Sequence, residues 1–411
     1  MKTLSDPYPI QYVAVDSHLG TKAYDLNIVE DSLESLNLSK KRVLLLQFPK
    51  TGNSVKEALE REAECEIIEL IDKSNSYDIK SIFTHFATLE ECPLDTIHDK
   101  IQFGKRILYL DAVSSSFIRR FQSNQECPGF WNMALGTYCR HGCSYCFLNL
   151  TMRIRPLCVE HLNLSRLKKN LRYFSRKRQP NILFNTGETS DPLDNEPDLH
   201  LWNKIVELVR ASGNQLLCLT KSDHTESIPD AEGRNLTDTV IYSWSINPIA
   251  VVDRYEPHTA PTKARLQAAK HLKELGYRIR FRIDPIMPVN LMNSLSEGKS
   301  IPLTDIDLES YFTLIDKLAL IEPEMITFGT FRALPALFNF LSDKIIKKDI
   351  FVKDGKRFRL PQAYRHFLYE KLGMYTQDLI GCNIAICKDP TIDLPFTTFK
   401  VPCQCMKINK K

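Results

Sequence analysis

Residues 138–149, YCRHGCSYCFLN, place Cys139, Cys143 and Cys146 at intervals of four and three residues, with no fourth cysteine close by in sequence. A structural zinc site takes four protein ligands, usually as two separated pairs. A cubic 4Fe–4S cluster that is held by three thiolates instead keeps one iron open for a small molecule. The spacing therefore favours an iron–sulfur cluster with an open iron. Reduced cysteines packed in the core are the alternative.

The overall composition is that of an ordinary globular protein. The chain has 411 residues, of which 43% are hydrophobic and 25% charged, and its net charge is +4. Such a length suffices for one large α/β domain and a smaller one, and the net charge by itself does not indicate a nucleic-acid binder. Residues 1–20 lack an apolar targeting segment, and no stretch is apolar enough to span a membrane, so we expect a cytoplasmic protein with no membrane partner. Twelve cysteines in that compartment favour metal binding or catalysis over a disulfide framework.

Residues 1–130 predict a small N-terminal α/β domain. Three short apolar runs rich in branched side chains are typical of strands, and polar segments of helical character separate them. The runs are RVLLLQF (42–48), CEIIELI (65–71) and RILYLDAV (106–113).

Residues 131–345 alternate between predicted strands and predicted helices. The strands are NILFNTG (181–187), QLLCLTK (215–221), TVIYSWSIN (239–247) and YRIRFRIDPIM (277–287), and the helices cover 199–212 and 260–276. This alternation implies right-handed crossovers and a parallel sheet, either closed or partly closed into a barrel. Ligands of such folds bind at the carboxyl ends of the strands.

Residues 346–411 predict a C-terminal extension with a hairpin and a cysteine-rich tail. The Asp354–Gly355 pair lies between alternating residues and is typical of a tight hairpin turn. The spacing of the last four cysteines is able to hold zinc or a second iron–sulfur cluster, with buried thiols that bind no metal as the alternative. These cysteines are Cys382, Cys387, Cys403 and Cys405.

The three-cysteine loop before a β/α barrel resembles the radical S-adenosylmethionine superfamily. The resemblance implies a partial (β/α)6-type barrel with a 4Fe–4S cluster whose open iron binds S-adenosyl-L-methionine. An electron from the cluster cleaves that cofactor to a 5′-deoxyadenosyl radical, which abstracts a hydrogen atom from the substrate. A protein electron donor such as flavodoxin or ferredoxin is implied as a partner.

Five further motifs occur in the order and spacing of the spore photoproduct lyase family, which this sequence resembles from about residue 130 to 345. The resemblance implies a lyase that acts on a thymine-dimer lesion in DNA. The motifs are TSD (189–191), LTKSDH (219–224), WSIN (244–247), YEPHTAPTKARLQAA (255–269) and RIDPIMP (282–288).

The resemblance also implies roles for individual residues. Cys139, Cys143 and Cys146 would ligate the cluster, and Tyr145 would lie near the adenosyl group. Four further residues would surround the methionine part, with the first two near its ammonium and the last two near its carboxylate: Ser190, Asp191, Lys221 and Ser245. A zwitterionic amino acid needs an acceptor and a cation, which these side chains supply.

Two positions depart from the lyase pattern. The lyase has a cysteine before TSD that returns a hydrogen atom to the thymine radical, and Glu188 stands here instead. Phe147 replaces a tyrosine of the lyase's radical relay. TGE (186–188) resembles the Gly-Gly-Glu that other superfamily members use to bind the cofactor's ammonium, so Glu188 is a candidate cofactor-binding residue. Together with Tyr145, which would lie near the adenosyl group, it is also a candidate catalytic residue. Cys158 is a candidate substitute hydrogen donor.

Two basic segments are candidates for binding DNA. RLKKNLRYFSRKRQ (166–179) interleaves basic and aromatic residues, which suits a phosphate backbone, although a solvated amphipathic helix explains the same pattern better. The predicted hairpin carries four basic residues, and a DNA-binding role and a structural role are equally compatible with them: Lys353, Lys356, Arg357 and Arg359.

The leading hypothesis is therefore a radical S-adenosylmethionine enzyme that resembles spore photoproduct lyase. One alternative is a radical enzyme with a peptide or small-metabolite substrate. The other is a non-catalytic, metal-stabilised nucleic-acid-binding protein, which would not require the predicted cofactor pocket at Lys221 and Ser245.

Overall fold

The computed structural model describes residues 10–36, 38, 41–48, 51–62, 67–71, 79–89, 94–122, 127–177, 181–194, 200–234, 236–340, 348–389 and 405–406. Its strands are, in chain order, β1 (Tyr12–Asp16), β2 (Arg42–Gln47), β3 (Ile67–Ile71), β4 (Ile107–Asp111), β5 (Ile118–Phe121), β6 (Phe130–Met133), β7 (Gly136–Thr137), β8 (Cys158–His161), β9 (Leu183–Asn185), β10 (Gln215–Thr220), β11 (Val240–Ser245), β12 (Arg278–Ile286), β13 (Met325–Thr330), β14 (Arg332–Ala333), β15 (Val352–Asp354), β16 (Arg357–Arg359) and β17 (Asn383–Ile386). Its α-helices are α1 (Ala23–Ser35), α2 (Ser54–Glu62), α3 (Ile79–Leu89), α4 (Ile97–Gly104), α5 (Asn149–Met152), α6 (Leu164–Lys177), α7 (His200–Ala211), α8 (Ile249–Tyr255), α9 (Thr262–Glu274), α10 (Val289–Ser296), α11 (Glu309–Ala319) and α12 (Gln362–Leu379). Within these residues no helix is both long and apolar enough to cross a membrane.

The N-terminal sheet has the strand order β3-β2-β1-β4-β8-β7. Its neighbours are parallel except for the short β7, which pairs antiparallel with β8. The three apolar runs of the N-terminal segment contain β2, β3 and β4, as predicted. The apolar side chains of β1 and β4 are buried because helices cover both faces of the sheet.

The barrel sheet has the order β17-β13-β12-β11-β10-β9-β6-β5. Every neighbouring pair is parallel except β5 with β6. The two ends of this order do not pair within the described residues, so the sheet is an open, partial barrel, and the predicted fold class is confirmed. The predicted strands at 181–187, 215–221, 239–247 and 277–287 contain β9 to β12, and the predicted helices at 199–212 and 260–276 contain α7 and α9.

The two sheets exchange strands around residue 130. The antiparallel pair β5 and β6 joins the barrel sheet, whereas β7 and β8, which come later in the chain, return to the N-terminal sheet. The division into segments 1–130, 131–345 and 346–411 therefore stays a prediction.

The C-terminal segment contains the predicted hairpin and one strand that the sequence did not reveal. The antiparallel strands β15 and β16 flank Gly355, whose φ of +60° lies in the left-handed region that glycine tolerates best. Strand β14 completes this small hairpin sheet by pairing with β16. Helix α12 then leads to β17, which pairs parallel with β13 and extends the barrel sheet.

Candidate metal and cofactor site

The cluster loop, residues 138–148, connects β7 to α5. Cys143 is buried, whereas Cys139 and Cys146 are half-buried, and none of the three is in a disulfide. The loop is tightly wound, since the amide of Cys146 donates to the carbonyl of Cys143 over 3.1 Å. Cys143 and Cys146 therefore share one turn, and Cys139 precedes it on the same loop. That the three thiols ligate one cluster stays a prediction.

The end of α8 and the residues after it accept backbone hydrogen bonds from the cluster loop. The amide of Gly142 donates to Pro257 O, and the amide of Ser144 donates to Tyr255 O, both over 2.9 Å. A Cβ added to Gly142 would lie 3.1 Å from Pro257 O, so a larger residue would press on this contact. The YEPHTAP motif thus shapes the loop that carries the cysteines.

Burial makes the thiols of Cys139 and Cys143 hard to ionise on their own. It raises the pKa of Cys139 well above its usual range, and the nearby acidic groups Asp194 and Asp191 add to this. It also raises the pKa of Cys143 to about 12, although Lys221 opposes the shift. A bound cationic metal centre removes this penalty because it stabilises thiolates directly.

Tyr145 belongs to a buried polar network beneath the cluster loop. Its hydroxyl donates to Glu256, and Asn247 Nδ2 donates to Glu256 Oε1 over 3.1 Å. Arg265 Nη2 lies 2.7 Å from Glu256 Oε2, and both side chains are fully buried. Burial would raise the pKa of Glu256, but Arg265 and Lys221 outweigh it and bring the pKa to about 2. The carboxylate is therefore charged at neutral pH and fixes Tyr145.

Lys221 and Ser245 meet at the carboxyl ends of β10 and β11. Lys221 Nζ donates to Ser245 Oγ over 2.8 Å and lies 5.8 Å from the centroid of the Tyr145 ring. Burial alone would lower the pKa of Lys221, but the carboxylate of Glu256 and the thiol of Cys143 raise it. The pair is a charged donor at the barrel mouth, the name used below for the carboxyl ends of the barrel-sheet strands.

Asp191 is buried, and the surrounding protein uses its acceptor capacity. Its carboxylate accepts hydrogen bonds from Thr220 Oγ1 at 2.7 Å, from the amide of Leu193 at 3.0 Å and from the amide of Lys221 at 2.7 Å. A ring nitrogen of His141 lies 3.2 Å from it. A carboxylate has about four lone-pair positions, so an ammonium group would have to displace one of these partners. The predicted contact of Asp191 with the cofactor stays a prediction, as does that of its buried neighbour Ser190.

Glu188 lies at the barrel mouth opposite the end of β17. Its Oε1 is 3.9 Å from Lys388 Nζ, and its side chain is half-buried. The preceding Gly187 has a packing reason, because a Cβ there would lie 2.5 Å from both the Cβ and the carbonyl oxygen of Leu219. Phe147 is 52% exposed, so this ring lies outside the network around Tyr145.

A second polar cluster at the mouth surrounds Cys387. Arg282 Nη2 and Arg332 Nη2 lie 3.1 Å and 3.2 Å from its sulfur. Both guanidinium groups also bind the carboxylate of Asp284 at 3.0 Å. Arg282 and Ser245 are opposite each other in the register of β12 and β11, so the cluster around Cys387 adjoins the Lys221–Ser245 pair.

The structure does not support one metal site for the C-terminal cysteines. Cys382 precedes β17 and Cys387 follows it, and five extended residues span about 16 Å. The two side chains therefore cannot bind the same zinc ion. Cys405 is half-buried. Cys403 lies outside the described residues.

Cys158 belongs to the N-terminal sheet and not to the barrel sheet. It lies in β8, pairs in register with Leu108 of the N-terminal sheet and is 0% exposed. Burial raises the pKa of its thiol to about 12. The thiol is therefore protonated at neutral pH, and a role of Cys158 as a substitute hydrogen donor stays a prediction.

The basic segments differ in their exposure. Helix α6 buries Phe174 against Trp131 and exposes 67% of Tyr173, as expected for an amphipathic surface helix. In the hairpin, Lys353 and Lys356 are exposed. Arg357 is half-buried, and Arg359 is buried near Asp354 and Asp389. The hairpin therefore presents two lysines to solvent.

Several residues of the site were not predicted individually. Within the described residues the ligand atoms of Cys139, His141 and Asp194 lie within 4.8 Å of one another. Glu256 and Arg265 both lie within the motif YEPHTAPTKARLQAA (255–269). Their ion pair was not predicted, because pairing across nine residues leaves no periodic signal in the sequence. Asn247 Oδ1 is a buried acceptor with no hydrogen-bond partner among the described residues.

The donor set fits a metal cluster with a bound amino-acid cofactor. Three thiols on one loop can serve as cluster ligands, and the Lys221–Ser245 pair lies beside them, since the charge of Lys221 acts on the Cys143 thiol. Fold and site together define an α/β protein with a candidate metal and cofactor site at the mouth of an open barrel.

The spore photoproduct lyase family model matches residues 55–300. Since this match covers more than half of the chain, the protein belongs to the spore photoproduct lyase family. It is 30% identical over 154 residues to the spore photoproduct lyase of Geobacillus sp. (strain Y412MC61), covering 37% of this chain and 44% of that protein. It is 26% identical over 241 residues to the spore photoproduct lyase of Bacillus subtilis (strain 168), covering 58% and 64%. These alignments thus span less than two thirds of either relative.

Solved structures share the fold over nearly the whole chain. A spore photoproduct lyase complexed with dinucleoside spore photoproduct superposes with a TM-score of 0.65 at 18% identity, covering 92% of this chain and 99% of that one. A variant of the lyase with bound S-adenosylmethionine and dinucleoside spore photoproduct gives a TM-score of 0.64 at 18% identity with the same coverage. The shared fold therefore extends beyond residues 55–300, which the family model matches.

Proposed function

We propose that the protein is a radical S-adenosylmethionine enzyme that repairs a thymine-dimer lesion of the spore photoproduct type in DNA. One observation carries the proposal: the cluster loop, the Lys221–Ser245 pair and the Tyr145–Glu256 network adjoin one another at the barrel mouth. Cys139, Cys143 and Cys146 would hold a 4Fe–4S cluster. With S-adenosyl-L-methionine bound, such a cluster would supply the 5′-deoxyadenosyl radical that serves for hydrogen abstraction.

The side chains at the mouth bind and orient the cofactor in this proposal. The Lys221 ammonium, positioned by Ser245, pairs with the cofactor's carboxylate, and Asn247 Oδ1 accepts a hydrogen bond from an N–H of the cofactor. Glu256 fixes the Tyr145 ring, which packs beside the adenosyl group. Glu188 lies at the same edge. Once its carboxylate separates from Lys388, it accepts a hydrogen bond from the cofactor's ammonium.

Three observations support DNA as the substrate. The chain belongs to the lyase family, and its structural neighbours include lyases complexed with dinucleoside spore photoproduct. The hairpin sheet adjoins the mouth through Arg332 of β14, which contacts Asp284. Lys353 and Lys356 lie exposed on that hairpin, where they can pair with backbone phosphates.

The substrate radical needs a hydrogen atom at the end of such a reaction, and Glu188 has no bond able to supply it. Cys387 is the thiol at the mouth in this proposal, because it contacts Arg282 and its neighbour Lys388 approaches Glu188. In its protonated form Cys387 would give its S–H hydrogen atom to the substrate carbon, so that the S–H bond breaks as the C–H bond forms. One electron from the protein electron donor and one proton from solvent would then return the thiyl radical to the thiol.

The remaining partners follow from the chemistry. Reduction of a cluster requires an electron donor, for which flavodoxin or ferredoxin is suitable, and the reduced thiols suit the cytoplasm. A second metal site at the C-terminal cysteines is not part of the proposal. The second candidate function is a radical enzyme with a peptide or small-metabolite substrate, and the replacement of the lyase cysteine by Glu188 favours it.

The test is anaerobic turnover of the reconstituted, reduced protein. S-adenosyl-L-methionine is added with a spore-photoproduct oligonucleotide, with the undamaged oligonucleotide or without DNA, and 5′-deoxyadenosine is quantified by chromatography. We expect cleavage that rises with the damaged strand and recovers thymidine, and no cleavage by the Cys143→Ala variant. Cleavage that is indifferent to the lesion would favour the second candidate. Absence of cleavage under all conditions would refute both.

A further inference from the structure

A buried lysine from the N-terminal α/β region reaches the cluster loop. Lys105 is the residue that follows α4, and only 4% of it is exposed. Its Nζ donates to the carbonyl of Cys139 over 2.7 Å and to the carbonyl of His141 over 2.5 Å. The ammonium group thus bridges two carbonyls next to the first cluster cysteine.

Close packing at Gly104, the residue before Lys105, brings the end of α4 near the cluster loop. A Cβ added to Gly104 would lie 1.7 Å from Pro156 O, a distance that no side chain tolerates. The end of α4 therefore packs directly on the backbone that leads into β8. This contact is independent of the lysine's hydrogen bonds, and it fixes Lys105 at the cluster loop.

A buried ammonium is expensive unless it is fully hydrogen-bonded, and an apolar residue could fill the same space at lower cost. Two loop carbonyls are its acceptors, so the lysine selects one conformation of the loop. Its charge also lies near a site that would hold three thiolates. A reduced cluster carries one more negative charge than an oxidised one, so a nearby fixed cation favours reduction, and little water screens it here.

We propose that Lys105 is a positioning residue of the cluster site: it holds Cys139 in place as a ligand, and its charge raises the reduction potential of the bound cluster. This inference rests on the proposed function, since it concerns the same cluster. It also assigns the N-terminal α/β region a part in the radical chemistry, because that region supplies the charge.

Three variants separate the two effects of Lys105. Lys105→Gln keeps a hydrogen-bond donor without the charge, Lys105→Met removes both, and Lys105→Arg keeps both in a larger group. The matched control is Lys100→Met, an exposed lysine on the same helix. Iron and sulfide per chain report cluster loading. The midpoint potential, from a redox titration followed by electron paramagnetic resonance, reports the charge.

We expect Lys105→Met to load less cluster and Lys105→Gln to load nearly as much as the parent but with a more negative midpoint potential. Lys105→Arg should have a potential closer to that of the parent than Lys105→Gln has, and Lys100→Met should match the parent in both measurements. Hydrogen exchange of the cluster-free proteins adds a readout without the cluster. The amides of Gly142 and Ser144 should exchange faster in Lys105→Met.

Two results would overturn the inference in different ways. If all Lys105 variants have the parent's potential, the charge has no effect on the cluster. If the parent loads a cluster and Lys105→Met loads it equally well with unchanged exchange at Gly142 and Ser144, the lysine does not position the loop. Failure of the parent itself to bind any iron–sulfur cluster would overturn the proposed function as well.

Discussion

Glu256→Gln is expected to destabilise the protein by about 3 kcal/mol at neutral pH. The pKa of this carboxyl group falls from 4.5 to about 2, and each pKa unit corresponds to about 1.4 kcal/mol. The substitution also leaves Arg265 buried without its anionic partner, and removing one partner of a buried ion pair costs about 3–5 kcal/mol. The two arguments agree in magnitude.

The effect has a defined pH dependence. A carboxyl group with a lowered pKa stabilises the folded state above its unfolded pKa and loses that contribution as the pH falls through the folded pKa. The stabilisation by Glu256 is thus complete above about pH 5, falls to less than half at about pH 3 and disappears below about pH 2.

The assay is urea unfolding of the cluster-free protein and its variant at pH 7 and at lower pH. The control is Glu297→Gln, which removes an exposed ion pair with Lys299 and is expected to change little. A loss below about 1 kcal/mol at pH 7, or a loss that does not shrink towards pH 3, would refute the electrostatic account of this network.

Three further predictions concern the mouth. Lys221→Met removes a charge-assisted hydrogen bond, which is worth about 1.5–3 kcal/mol. In a calorimetric titration, S-adenosyl-L-methionine should therefore bind about 10- to 100-fold more weakly to this variant. The control is the exposed Lys270→Met, and a change below twofold for Lys221→Met, like that expected for the control, would contradict the carboxylate contact. Cys387→Ala should abolish the transfer of deuterium from heavy water into repaired thymine, as mass spectrometry would show, whereas Cys158→Ala should retain it; a labelled product from Cys387→Ala would exclude that thiol as the donor. Gly187→Ala should lower the free energy of unfolding by about 1–3 kcal/mol because its Cβ overlaps Leu219, and it would be contradicted by a value equal to that of Gly52→Ala, where the added Cβ meets nothing within 4 Å.

The sequence predicted those parts of the fold that have a local signal. The strands β9 to β12 are apolar runs, and the amphipathic helices α7 and α9 lie among them, so periodicity located them. Strand β17 is only four residues long and follows a hairpin and a long helix, so nothing local connects it with β13. The return of β8 to the N-terminal sheet also depends on long-range pairing, which periodicity does not record.

The arrangement of the candidate site was predictable only in part. Motif order indicated that Lys221 and Ser245 lie near each other, and the structure brings them together. The cluster at the three cysteines stays a prediction. The contacts of Lys105 with the cluster loop were not predictable, because they join residues 34 and 36 positions apart. In the cysteine-rich tail the spacing was misleading. It suggested one metal site, but the extended strand β17 separates Cys382 from Cys387.

The most direct test of the account is electron paramagnetic resonance of the reduced, reconstituted protein with and without S-adenosyl-L-methionine. The account predicts a 4Fe–4S signal whose g values change when the cofactor is added, because the cofactor binds the open iron. Lys221→Met should require a higher cofactor concentration for the same change, and Cys143→Ala should lack the signal. A parent protein without such a signal, or with a signal that the cofactor leaves unchanged, would contradict the assignment of the three cysteines and the pocket beside them.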